Sequence, residues 1–107
     1  MATFYALGNY TTQGFQGLCK DPSSDRAKAA KAAAEAVGAK LVSYTGLRGP
    51  YDFLAVFEGT FAQSAGIKMA TEASGALCNI AICEAININE VAANAVKIAA
   101  AYKGPGK

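Results

Sequence analysis

Gly49-Pro50-Tyr51-Asp52 sets a turn-forming pair, an aromatic ring and a carboxylate in four consecutive positions, directly before the apolar run Phe53-Leu54-Ala55-Val56-Phe57. Proline fixes φ and has no N–H to donate, so the quartet predicts a forced turn that delivers Tyr51 and Asp52 into a sheet at a fixed register. Asp52 with a nearby arginine, Arg48, could orient a small polar ligand while tyrosine rings cover its apolar part. The same Asp52 could instead cap its own loop by accepting backbone N–H bonds, with Tyr51 simply core, because aspartate beside glycine and proline is ordinary turn chemistry.

Other chemistries find less support. The chain contains no histidine, which removes the commonest metal ligand and the commonest general base. Asp52 and Glu58 share a face of one predicted strand but lie roughly 20 Å apart along it, too far for paired-carboxylate hydrolysis. Cys19, Cys78 and Cys83 have no CxxC spacing. If residues 77–86 form a regular strand, Cys78 and Cys83 face opposite sides and cannot share a metal, so all three are expected to be reduced, small apolar residues. Gly8, Gly14 and Gly17 lack the spacing of a phosphate loop. No metal or cofactor is expected. Lys40 and Glu84 are read as solvated charges at strand ends.

The whole chain sets the frame. Its 107 residues suffice for one domain, taken as residues 1–103 with a loose tail at 104–107. Ten basic against eight acidic residues leave a net charge of +2, dispersed along the sequence, which gives no reason to expect nucleic acid as a partner. Apolar stretches are broken well before the ~20 residues a membrane helix requires, and no signal-peptide pattern opens the chain. With reduced cysteines this predicts a cytoplasmic protein that binds neither membrane nor nucleic acid.

Hydrophobic period and punctuation divide the chain into alternating elements. Thr3–Tyr10 alternates as a strand, and residues 11–20 read as a loop. Asp21-Pro22 predicts a helix start with a capping carboxylate, followed by an alanine-rich helix over Arg26–Val37 with Ala30, Ala33, Ala34 and Val37 on one stripe, ended by Gly38. Lys40–Tyr44 and Tyr51–Glu58 predict a hairpin. Thr60-Phe61-Ala62-Gln63 has capping-box spacing for a helix to about Ser74, Leu77–Ile86 reads as a fourth strand, and Asn87-Ile88-Asn89-Glu90 starts a last helix bearing Val91, Ala95, Ile98 and Tyr102. The order β-α-β-β-α-β plus a helix is that of a ferredoxin-like α+β sandwich with antiparallel strand order 4-1-3-2. That order gathers Asn9, Tyr10, Asp52 and Asn79 at one rim, with Arg48 and Tyr51 beside them: the candidate ligand site.

Both faces of the sheet are apolar. Tyr51, Phe53, Ala55 and Phe57 suit the alanine-faced helices, since large sheet residues could fill the space that small helix residues leave. Leu54 and Val56 lie on the other face. Strand four is expected to put Cys78, Ile80 and Ile82 on one side and Leu77, Ala81 and Cys83 on the other. An uncovered apolar face normally marks an interface, so a homo-oligomer is expected, with two sheets packed face to face. The last helix either adds to that interface or folds back on its own subunit.

Residues 1–14, Asp21-Pro22-Ser23, the alanine-rich helix, Gly38-Ala39-Lys40-Leu41 and Gly49-Pro50-Tyr51-Asp52 together resemble the GYD-domain family over roughly residues 1–90. The resemblance implies a dimeric α+β barrel, a superfamily that includes cofactor-independent monooxygenases, muconolactone isomerases and ligand-binding domains of Lrp/AsnC-type regulators. Three functions follow as expectations. The first is an oligomeric domain binding a small metabolite without catalysis. The second is a cofactor-independent monooxygenase or isomerase in which Tyr10, Asp52 and Asn9 position an aromatic or enolisable substrate. The third is an assembly subunit, suggested also by a loose similarity of element order to microcompartment shell proteins.

Overall fold

In the first strand every second side chain turns inward: Phe4, Ala6 and Gly8 are buried, while Tyr5, Leu7 and Asn9 alternate with them. The computed structural model describes residues 2–107 and places this strand, β1 (Ala2–Tyr10), inside a four-stranded antiparallel sheet. The remaining elements are α1 (Thr12–Lys20), α2 (Arg26–Ala36), β2 (Lys40–Gly46), β3 (Phe53–Gly59), α3 (Phe61–Ala73), β4 (Leu77–Glu84) and α4 (Ile88–Ala101). The strand order β2-β3-β1-β4 is the expected one, and the fold is ferredoxin-like α+β.

β3 carries the alternation to its limit: Phe53, Ala55 and Phe57 are buried, with Leu54, Val56 and Glu58 half-buried between them. The buried set faces the helices, where the core gathers Ala6, Ala34, Ala39, Phe53, Ala55, Phe57 and Ile80. The hairpin loop closes through Leu47 N–H to the Asp52 carbonyl (2.8 Å). α3 begins with the expected capping box: Thr60 Oγ1 accepts from Gln63 N–H, and Gln63 Oε1 accepts from Thr60 N–H. Gly75, which follows its last turn, has φ +85°, and so does the work of a glycine C-terminus.

Several local expectations are corrected. Residues 12–20 form helix α1 and not a loop; Thr11 caps it by accepting from Gly14 N–H (3.1 Å). Asp21 closes α1 instead of opening the next helix, and Pro22 follows it in a turn made by Ser24 N–H to the Asp21 carbonyl (3.0 Å). α2 is capped by Asp25, whose carboxylate accepts from Lys28 N–H (3.0 Å). Val37 is the C-cap of α2 and is 44 % exposed, so it leaves the buried stripe that Ala34 anchors. β3 starts at Phe53, which leaves Tyr51 and Asp52 in the preceding turn, and β4 ends at Glu84.

Two bulges change which residues look inward. Leu41 pairs with Phe57 while Ser43 pairs with Val56, so Val42 is an extra residue and Tyr44, opposite Ala55, turns to the buried face. On β4, Leu7 pairs with Ala81 and Asn9 with Cys78, which sets Asn79 and Ile80 against Gly8 alone. Asn79 takes a left-handed φ of 56°, a conformation asparagine tolerates better than most residues. Leu77 therefore joins Ile80 and Ile82 against the core, and Cys78 falls on the outer face with Ala81 and Cys83, the reverse of the expected parity. Cys78 and Cys83 share that face but pair with Asn9 and Tyr5, four positions apart, or roughly 13 Å at strand spacing.

α4 stands away from the rest. Asn87 caps it through bonds from Asn89 and Glu90 N–H, as expected, yet every one of its residues is exposed. The molecule measures 62 × 29 × 23 Å with a radius of gyration of 17.9 Å, whereas a compact chain of this length would have about 13 Å.

Candidate functional site

The centre of the inner sheet face is built from small residues. Ala6 of β1 lies opposite Ala55 of β3, and across from them α2 offers Ala30 and Ala33. Phenylalanines stand at both ends of this alanine floor, Phe4 and Phe57 paired on one side and Phe53 on the other. Small residues face small residues, so the layers enclose a cavity of about 440 Å³ between the sheet and helices α1, α2 and α3. The expectation that large sheet residues fill this space is corrected: the large residues sit at its ends. The space opens to the surface, so solvent or a small molecule can enter it.

Polar groups enter the cavity at a few points. At one end the Tyr10 and Tyr44 hydroxyls hydrogen-bond to each other on either side of Phe53. Tyr44 stacks on the Phe53 ring at 5.6 Å, and Tyr10 leans on both Phe53 and Phe15. Burial, reinforced by the Tyr10 hydroxyl, pushes the Tyr44 phenol well above its ordinary range, so it stays protonated. Arg26, at the first turn of α2, lies close enough for its charge to oppose that shift. Arg26 and the exposed Gln13, Gly17 and Asp21 place the mouth of the cavity where α1 meets α2. Ser64 of α3 also lines the cavity; it is 3 % exposed and its hydroxyl has no hydrogen-bond partner among the described residues.

Two glycines permit this packing. A Cβ on Gly8 would come within 2.6 Å of the Phe53 ring and 2.9 Å of Ile80. One on Gly14 would meet the Ala76 carbonyl at 2.3 Å, so α1 can lie over the end of β4 only with glycine there. On the α3 side, Lys68 pairs with Glu72 at 2.9 Å. Glu72 also accepts from Ile80 N–H, and these two contacts, Lys68 first, hold its carboxyl below the usual range while fastening α3 to β4.

The residues singled out from sequence divide between two places. Asn9 and Asp52 meet at the rim: Asn9 Nδ2 donates to Asp52 Oδ2 (3.2 Å) and to the Pro50 carbonyl (3.1 Å). Asp52 Oδ2 also accepts from Tyr10 N–H (3.0 Å), and Asp52 N–H donates to the Gly8 carbonyl (2.8 Å). Asp52 thus latches the hairpin turn onto β1. Asn79 sits across the strand from this rim at the bulge, exposed; Arg48 is exposed in the loop, and Tyr51 is half-buried in the turn. Of the six, Tyr10 alone lines the cavity. Sequence reasoning missed Tyr44, Arg26 and Ser64; the one available signal was the Leu41 to Tyr44 spacing, which only a bulge places on a single face.

Comparison with curated proteins finds no match, and comparison with solved structures finds none either. The family model described as GYD domain matches residues 4–95, from β1 into the middle of α4, and takes in the latch, the tyrosine pair and all three cavity-lining helices. With most of its length matched, the chain belongs to the GYD-domain family.

Proposed function

We propose that this protein is a homo-oligomeric domain that binds a small, mainly apolar molecule between its sheet and its helices. The observation that carries the reading is the cavity of about 440 Å³, at the small end of ligand pockets, which run about 300–1,000 Å³. Its walls are mainly apolar, with polar groups placed among them, the usual division between affinity and orientation. The outer face, where half-buried Leu7 lies between Leu54 and Ala81 and exposed Tyr5 lies between Val56 and Cys83, supports self-association.

Binding is favoured over catalysis by the state of the polar groups. Tyr44 is pushed away from ionisation, which suits it to donating a hydrogen bond rather than abstracting a proton. The Asp52 carboxylate is already engaged by Tyr10 N–H and the Asn9 amide.

The test uses a neutral apolar fluorophore, N-phenylnaphthylamine, titrated into the wild type and into Ala55→Leu, which grows a side chain from the cavity floor. Saturable binding at one site per chain is expected in the wild type and its loss in the folded variant. Equal binding by both proteins would place the probe elsewhere and remove the cavity as the binding site.

A further inference from the structure

We infer that the cavity's occupant is an amphipathic weak acid whose carboxylate is held at the mouth by Arg26 beside the Tyr10–Tyr44 pair, its apolar body lying over Ala6 and Ala55 toward Ser64. This rests on the cavity being the binding site and adds the chemical class of what it takes.

Gln13, Asp21, Ser24, Thr71 and Ser74 also line the cavity, with Thr71 and Ser74 donating their hydroxyls to backbone carbonyls, and the uncommitted cationic donor is Arg26. The Arg26 guanidinium presents five N–H donors and takes part in no ion pair or hydrogen bond among the described residues. In the tyrosine pair one hydroxyl proton is used between the two oxygens, which leaves the other free to donate. Lys68 is already matched by Glu72. Asp21, the acidic residue at the mouth, lies beyond ion-pair distance of Arg26, and its Oδ1 accepts from Ser23 Oγ at 2.8 Å. The complement of a planar donor fork beside an O–H is a carboxylate.

The shape agrees with the charge. Phe53 and Phe57, at the two ends of the floor, are four strand residues apart, roughly 13 Å at ~3.3 Å per residue. Beyond the donor end the lining is mainly apolar, with Ala6, Ala55, Ile67, Ile80, Ile82 and the alanines of α2, and Lys68 and Thr71 of α3 among them, so the occupant that fits is charged at one end and mainly apolar beyond it. Ser64 is the second sign that the interior is furnished for a guest, since a hydroxyl that is 3 % exposed and unpartnered among the described residues ordinarily costs about 1–3 kcal/mol unless something bonds to it.

The experiment is calorimetric titration of the full chain with octanoate and with octanol, which share a hydrocarbon chain and differ in the charge of the head. The same titrations are run on Arg26→Gln, an exposed position where glutamine keeps the helix. Octanoate is expected to bind the wild type at least about tenfold more tightly than octanol, the scale of a hydrogen bond to a charged group. Arg26→Gln is expected to abolish that advantage and leave octanol unchanged. Equal affinity for the two probes in the wild type, or octanoate affinity unaltered in Arg26→Gln, would overturn the weak-acid proposal and leave the cavity as a charge-blind apolar site. Failure of both probes to bind the wild type would overturn the cavity reading with it.

Discussion

Asp52 joins two strands through its side chain as well as its backbone, and the consequences are local and measurable. Asp52→Ala would leave the Tyr10 N–H and the Asn9 amide without their acceptor, at an expected cost of about 1–2 kcal/mol for this half-buried group; Asp52→Asn, which keeps one oxygen acceptor, should lose about half of that in urea denaturation. Gly8→Ala drives a methyl into Phe53 and Ile80 and is expected to cost about 1–3 kcal/mol, read as a lower midpoint at unchanged slope. Tyr44 sets the alkaline limit. Its folded-state pKa lies above the ordinary value of 10.0, so its contribution is fully present below pH 10 and declines as pH rises, because the unfolded chain releases the proton first. Tyr44→Phe should flatten the loss of stability above pH 10 and reduce, by one tyrosine's share, the phenolate absorbance gained on alkaline unfolding.

At the scale of elements, what the sequence disclosed and what it hid have separate causes. Caps and glycine stops written in local chemistry were legible: Thr60 with Gln63, Asn87 with Glu90, and Gly38 and Gly75 after α2 and α3. So were the strand order and the inward set on β3. α1 was hidden because Gly14 and Gly17 lower its helix propensity, while the need for Gly14 is tertiary, imposed by the Ala76 carbonyl. The meeting of Asn9, Tyr10 and Asp52 was legible from the strand order despite 43 positions between Asn9 and Asp52, but not the hydrogen bonds by which Asp52 latches the turn onto β1. The cavity escaped notice because alternation predicts which side chains face inward and not whether they meet, and because bulges at Val42 and Asn79 reverse parity without a residue type that announces them. α4 tests a different point. Its exposed Val91 and Ile98 make no part of the core, so Ile98→Glu should leave the midpoint of a dilute sample within about 0.5 kcal/mol of wild type while lowering the sedimentation coefficient at higher concentration.

The whole molecule is two problems in one fold: an interior too thinly filled and an exterior too apolar. Three helices cover one side of the sheet; the other carries Tyr5, Leu7, Leu54 and Val56, and α4 extends into solvent without covering it. Pairing between copies would answer the exterior problem and an amphipathic guest the interior one, and neither answer requires a metal ligand or a proton shuttle. The interior claim is open to one direct measurement, the urea stability of Ala55→Leu against wild type. If the alanine floor borders real space, the added carbons enter it and stability is equal or higher by up to about 2 kcal/mol. A loss of about 1–3 kcal/mol, the mark of an already filled core, would show that the layers close on each other and that no binding cavity lies between them.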